Sequence, residues 1–104
     1  DYVATRLAKR LKSSLVVNLS NIDYLYNKDP HKHKDAEVIC NITWKEFRKM
    51  VGNTWDPGMN VPFDPVASRL AHHSKISVAI LNGKNLKNLE GLLTGERFAG
   101  TMIG

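Results

Sequence analysis

An α/β fold with a mostly parallel sheet is predicted by three features of this 104-residue chain. Helical and strand-like patterns alternate along it, with no internal repeat and no low-complexity linker. The run Leu15-Val16-Val17-Asn18-Leu19 is short, rich in β-branched residues and almost uninterrupted, as expected of a parallel strand covered on both faces. Polar turns such as Asp29-Pro30 and Asn82-Gly83 separate the patterns.

Residues 2 to 12 read as a helix, in which Val3, Leu7 and Leu11 follow the spacing of an apolar stripe and Arg6, Lys9, Arg10 and Lys12 occupy a solvated face. The pattern is already under way at its first residue, so the chain is expected to be a piece of a longer protein. Residues 14 to 19 form the buried strand. His31 to Lys34 is an exposed loop, and Glu37 to Cys40 a short strand. Thr43-Trp44-Lys45-Glu46 has capping-box spacing: the Thr43 hydroxyl can accept from the Glu46 backbone while Glu46 reaches back, which starts a helix running to about Val51. Gly52 to Pro62 carries two Pro-bounded turns and reads as loop. Asp64 at a cap and Pro65 at the first helical position restart a helix to about His73, because proline lacks only an N–H that is unsatisfied there anyway. Lys75 to Leu81 is the next strand, Asn82-Gly83 a turn, Asn85 to Leu93 a helix, and Ala99 to Ile103 the closing strand.

A chain of this length normally forms one domain, here residues 1 to 104, with a large ratio of surface to volume. Its hydrophobic fraction of 42% is that of a globular protein. No apolar run reaches the length of a membrane span and there is no signal-peptide layout, so the expected compartment is the cytoplasm and no membrane partner is expected. The lone Cys40 has no internal partner, and its apolar neighbours Val38 and Ile39 lead to the expectation of a buried, non-catalytic thiol. The formal net charge of +5 raises nucleic acid as a partner. The basic residues are scattered, however, and lack both zinc-finger spacing and the interleaved aromatics of a single-strand binding surface, so no nucleic acid is expected. His31, His33, His72 and His73 have no carboxylate or thiol at a ligating spacing, and no metal site is expected among side chains. Trp44 and Trp55 read as packing anchors, and Lys84 and Lys87 as solvated.

Ser20 to Pro30, which reads Ser-Asn-Ile-Asp-Tyr-Leu-Tyr-Asn-Lys-Asp-Pro, follows the buried strand and gathers acids, hydroxyls and aromatics in one turn. Function in open α/β sheets sits just beyond such strand ends. Ser20, Asp23, Tyr26 and Asp29 are therefore candidates to surround a phosphorylated ligand, with Tyr26 offering a flat face to a base. An ordinary polar loop stands beside that reading, since Asn, Asp and Ser are also common turn formers.

Residues 18 to 30 resemble the segment of uridylate kinases with the general form Thr/Ser-x-Val/Ile-Asp-Gly-Val-Tyr/Phe-x-x-Asp-Pro. Pro57-Gly58-Met59-Asn60-Val61-Pro62-Phe63-Asp64-Pro65-Val66-Ala67 is similar to the Pro-Gly-x-x-x-Pro-Phe-Asp-Pro-x-Ala stretch of the archaeal-type branch. Residues 80 to 89 and 95 to 103 resemble the family's last strand, helix and terminal strand. Asp1-Tyr2-Val3-Ala4, without an initiator Met, resembles the close of a Thr-Thr-Asp or Ser-x-Asp signature. The likeness runs in order over essentially the whole chain.

The resemblance implies the C-terminal, ATP-binding half of an amino-acid kinase fold, a three-layer αβα sandwich with a mostly parallel sheet. The N-terminal half of that fold would carry a Lys, a Gly-Gly-Ser turn and most of the nucleoside monophosphate pocket. Transfer of the γ-phosphoryl group of ATP to UMP, with Mg²⁺, is the implied reaction on the route to UTP and CTP, in a homohexameric parent. Both reactants are anionic, so such catalysis is mostly positioning and neutralisation of charge. The resemblance implies that Asp1 orients catalytic lysines, that Ser20 hydrogen-bonds the nucleotide, that Tyr26 packs on adenine or ribose, and that Asp29 accepts from ribose hydroxyls or base amino groups. A helix N-cap for Asp1, an Asx turn for Asp29 and a core position for Tyr26 are the plainer readings. Asp23 resembles the acid of the Val-Asp-Gly motif, but Tyr24 stands where that motif has Gly, and a positive φ there would be costly for tyrosine. Other kinases of the superfamily, acting on carbamate, an acylglutamate, aspartate or isopentenyl phosphate, are alternatives, as is a non-enzymatic nucleotide-binding or storage protein. The isolated chain is expected to be inactive.

Overall fold

The computed structural model describes residues 2–20, 22–27, 32–54, 63 and 65–104. Helix α1 (Tyr2–Arg10) leads into strand β1 (Leu15–Ser20), followed by the short strands β2 (Leu25–Tyr26), β3 (Val38–Ile39) and β4 (Asn41–Ile42). Helices α2 (Trp44–Thr54) and α3 (Pro65–His73), strand β5 (Ser77–Asn82), helix α4 (Leu86–Leu93) and strand β6 (Thr101–Ile103) complete the order. The main sheet runs β1-β5-β6-β4, and β2 and β3 form a separate two-stranded ribbon. The β1–β5 and β4–β6 pairs are parallel and β5–β6 is antiparallel, so the sheet is mostly parallel, as predicted.

β5 is buried on both faces: Val78, Ala79, Ile80 and Leu81 are all fully covered. This burial explains its unbroken apolar run. The core lies on the face that carries Val16, Val78, Ile80 and Ile103, against Ala8 of α1, Trp44 and Phe47 of α2, and Ala67 and Ala71 of α3, with Leu25, Phe63 and Ile76 filling the margins. Trp44 meets Phe47 edge to face at 5.8 Å between ring centroids and Phe63 at 6.1 Å, and its indole Nε1–H donates to the Ile76 carbonyl at 2.8 Å. Arg48 of α2 donates to Nδ1 of His72 on α3 at 2.9 Å, tying the two helices.

Several boundaries follow from identifiable local contacts. At α2 the Glu46 N–H donates to Thr43 Oγ1 at 3.2 Å, the first half of the expected capping box. That helix continues to Thr54, beyond the expected end near Val51. Pro65 opens α3 as expected, whereas Asp64, Trp55 and the loop of residues 55–62 lie outside the described residues. Asn85 caps α4 by accepting from the Asn88 N–H at 3.1 Å. The Asn88 carboxamide then clasps Ala99 on both sides, accepting from its N–H at 2.5 Å and donating to its carbonyl at 2.6 Å, which sets the approach to β6. Gly100 is needed there for space: a Cβ would stand 2.5 Å from the Ile80 carbonyl oxygen and 2.8 Å from Phe98 Cε2.

The short strand expected within Glu37 to Cys40 is β3, and after a bend at Cys40 a further strand that was not expected, β4, pairs with β6. Three expectations are corrected. Cys40 is exposed at that bend, not buried. β1 is the edge strand of the described sheet and is only partly covered: Val16 is buried, Leu15, Val17 and Asn18 are half-buried and Leu19 is 50% exposed. On α1 the apolar stripe points outward, with Val3 77% and Leu11 70% exposed, while Thr5 and Ala8 are buried. α1 packs against α3, whose facing residues Ala67, Ser68 and Ala71 are small and buried. Small side chains on both helices let them approach closely, which the bulkier stripe would prevent.

α1 and α3 end alike. Lys12 and Lys75 follow them in left-handed conformation, with φ of 56° and 57°. The Ser13 N–H donates to Ala8 O at 2.8 Å and the Ile76 N–H to Ala71 O at 2.9 Å, the long hydrogen bond of a Schellman turn in each case. Glycine is the usual residue at that position, and a side chain there is disfavoured by ~1–2 kcal/mol. A cation near a helix C-terminus returns only ~0.3–1 kcal/mol. The last turns already hold Lys9 and Arg10 on α1 and His72 and His73 on α3, so helix termination leaves the two lysines unexplained.

Candidate functional site

β1 and β5 run side by side in register from Leu15 opposite Ser77 to Ser20 opposite Asn82, so their C-terminal ends form one edge. The chain leaves that edge through two turns, one after Ser20 and one after Asn82, and hydrogen bonds join them. The Gly83 N–H donates to the Ser20 carbonyl at 2.9 Å. The Asn82 carboxamide donates through Nδ2 to Asp23 Oδ1 at 3.1 Å and accepts at Oδ1 from the Lys84 N–H at 2.9 Å. Ser20 Oγ accepts from the Ile22 N–H at 3.3 Å, a local turn that leaves the hydroxyl proton to donate elsewhere. The result is a polar cluster at the strand ends that joins the two turns, with Asp23 bonded to the Asn82 carboxamide and the Ser20 carbonyl bonded to Gly83.

Tyr26 follows the Ser20 turn along the chain. It lies in β2 opposite Val38, half-buried, and the next pair is closed by Asn27, whose N–H donates to Glu37 O at 3.0 Å and whose Oδ1 accepts from Glu37 N–H at 2.8 Å. The ribbon is fixed to the sheet by one buried hydroxyl. Thr101 Oγ1 of β6 accepts from the Leu25 N–H at 2.9 Å and donates to the Ile39 carbonyl.

Of the residues expected at the site, Asp23 is bonded to Asn82, the register partner of Ser20, and Tyr26 lies on the ribbon that continues from the same turn. Asp1 and Asp29 lie outside the described residues. Tyr24 takes the Gly position of the related motif without a positive φ, so its side chain brings none of the strain a glycine-specific geometry would impose. Lys84 and Lys87 are exposed, as expected. Sequence reasoning missed Asn82 and Thr101. The Asn82-Gly83 dipeptide signals only a turn, and a single Thr in a short strand carries no pattern. Among the described residues, no three His, Cys, Asp or Glu side chains gather as a metal site, and no helix is long and apolar enough to cross a membrane.

Donors for a phosphorylated ligand lie at this edge in the Ser20 hydroxyl and in the N-terminal turn of α4, which opens directly after Lys84 and Asn85. Parallel strands ending in such a polar cluster are the hallmark of the α/β class whose ligands bind beyond the carboxyl ends of the strands. Within that class the chain belongs to the amino acid kinase family, whose model matches residues 1–82. A uridylate kinase of Hyperthermus butylicus is 30% identical over 102 residues, covering 98% of this chain and 45% of the relative. One of Methanococcus aeolicus is 33% identical over 104 residues, covering 99% and 45%. Among solved structures, a uridylate kinase of Archaeoglobus fulgidus superposes with a TM-score of 0.77 at 26% identity, covering 96% of this chain and 44% of that one. The chain thus spans about 45% of the length of the curated relatives it matches.

Proposed function

We propose that this chain forms the ATP-binding part of a uridylate kinase, which transfers the γ-phosphoryl group of ATP to the phosphate of UMP and yields UDP for pyrimidine nucleotide synthesis. The observation that carries the reading is the pair of hydrogen bonds that ties the turns beyond two adjacent parallel strands, Asn82 to Asp23 and the Gly83 N–H to the Ser20 carbonyl. Likeness to uridylate kinases over nearly the whole chain supports the choice of reaction. In this reading Ser20 hydrogen-bonds the nucleotide, Tyr26 packs on its adenine or ribose, Asp29 accepts from ribose hydroxyls or base amino groups, and Asp1 orients catalytic lysines. Mg²⁺ arrives with the phosphates of ATP and supplies neutralisation of charge. Residues 1 to 104 then act as one ATP-binding unit of a cytoplasmic, hexameric enzyme.

Calorimetric titration of Mg-ATP into the chain, beside Tyr26→Ala and a Tyr26→Ala/Asp29→Ala double variant, tests the reading. Stacking of a base on an aromatic ring contributes ~1–3 kcal/mol, so the single variant is expected to bind roughly tenfold more weakly. The double variant is expected to lose saturable binding. A folded chain that takes up no Mg-ATP, or binds it equally well without Tyr26 and Asp29, would sink the proposal.

A further inference from the structure

At the opposite end of the sheet, where α1 and α3 stop and β1 and β5 begin, a cavity of about 330 Å³ is lined by Lys9, Lys12, Ser13, Ser14, Ser74 and Lys75 over a floor at Ile76. We propose that this cavity binds a small, multiply charged oxyanion, a phosphate ester or diphosphate, at a site separate from the polar cluster at the other strand ends. Each six-residue strand rises about 3.3 Å per residue, which sets the two sites on the order of 20 Å apart. The inference is therefore independent of the ATP reading.

Three lysines and three serines line the cavity, and no carboxylate is among its described lining residues. The Ser13 hydroxyl already donates to the Leu15 carbonyl at 3.3 Å, so the donors left for an oxyanion are the lysine ammonium groups and the hydroxyls of Ser14 and Ser74. The two left-handed lysines make the case specific. Among the described residues they are the only non-glycine residues with positive φ, and both border this cavity. Glycine would fit both backbone positions with less strain, and the helix ends already carry other basic residues. A side-chain function accounts for lysine at these two positions.

The frame is also built to hold them. The Lys12 N–H donates to Lys9 O at 3.2 Å and the Lys75 N–H to His72 O at 3.3 Å, matching the longer Schellman bonds already described. These bonds occupy the carbonyls of Ala8, Lys9, Ala71 and His72; the negative ends of the two helix dipoles still oppose an anion, and the three lysines are what outweigh them. The Ser77 N–H donates to Ser14 O at 2.9 Å, which fixes the spacing between the two lysine-bearing turns. A concave site of this volume suits a small ligand better than a polymer backbone.

Titration of inorganic pyrophosphate into the ¹⁵N-labelled chain, followed by amide chemical shifts, provides the test, with a Lys12→Gly/Lys75→Gly double variant beside it. Saturable shifts are expected at Ser13, Ser14, Lys75 and Ile76. Loss of two charge-assisted contacts should weaken binding by about tenfold or more. The melting temperature of the variant is expected to stay level or rise, because glycine relieves the left-handed strain, so lost binding will not reflect lost folding. Three results would overturn the proposal: no saturable shift at these amides, equal affinity in the double variant, or shifts produced by an oligonucleotide but not by pyrophosphate. The last would assign the lysines to a nucleic-acid surface instead.

Discussion

Thr101→Val is expected to destabilise the chain by roughly 2–3 kcal/mol while leaving its shape almost unchanged. Valine matches threonine in volume and β-branching, so the fully buried site neither empties nor overfills. What disappears is the hydroxyl that accepts from the Leu25 N–H and donates to the Ile39 carbonyl. A buried amide left without an acceptor carries most of that loss. Urea denaturation followed by circular dichroism measures it, and Thr101→Ser, which keeps the oxygen and deletes the methyl, separates hydrogen bonding from packing. The linkage account requires valine to be the worse of the two, and equal stability of Thr101→Val and wild type would dispose of it. Because Leu25 and Tyr26 share one short strand, Mg-ATP affinity is expected to fall with stability in the valine variant.

Trp44→Ala is expected to do more, about 3–5 kcal/mol. Only 5% of Trp44 is exposed. It packs with Phe47 of the same helix, holds α2 against Phe63 and fixes the entry to β5 through the Ile76 carbonyl. Truncation leaves a cavity and an unsatisfied acceptor together. A domain of this size has a total stability of ~5–15 kcal/mol, so the variant should be largely unfolded at physiological temperature. Trp44→Phe retains much of the ring packing and loses the indole donor, and it should fall between the two. Circular dichroism is the better readout, because the chain has two tryptophans and fluorescence would mix them. A Trp44→Ala chain that melts within a few degrees of wild type would remove Trp44 from the centre of the core.

The elements legible in advance were those with local signals. Thr43 and Glu46 at α2, Pro65 at α3, and Asn85 at α4 mark helix starts through chemistry that acts within one turn, and β5 announces itself by an unbroken apolar run. β2, β3 and β4 are two residues each, too short for any period to register. Their placement depends on Thr101, more than sixty positions from Ile39. The orientation of α1 was misjudged for a related reason. Hydrophobic spacing picks out Val3, Leu7 and Leu11, whereas the small residues of α3 select Thr5 and Ala8. At the candidate site, Ser20 and Asp23 stood out because acids and hydroxyls after an apolar strand suggest ligand chemistry. Asn82 did not, because its two hydrogen bonds reach a neighbouring turn and its own, and only the first joins it to Asp23.

The register of β1 with β5 also bears on the order in which the chain assembles. Leu15 and Ser77 are separated by more than half the sequence, whereas β5, α4 and β6 close on one another within the last third. Loop closure must be met before distant strands gain anything from pairing, which favours early formation of the C-terminal unit and late addition of β1. Ser20 and Asn82 come from strands on opposite sides of that long closure. β4 meets β6 across a closure of almost the same length, so the strand-end cluster exists only once one of the two long-range pairings of the sheet is complete, and a ligand bound across it would act as a latch on that late step of folding.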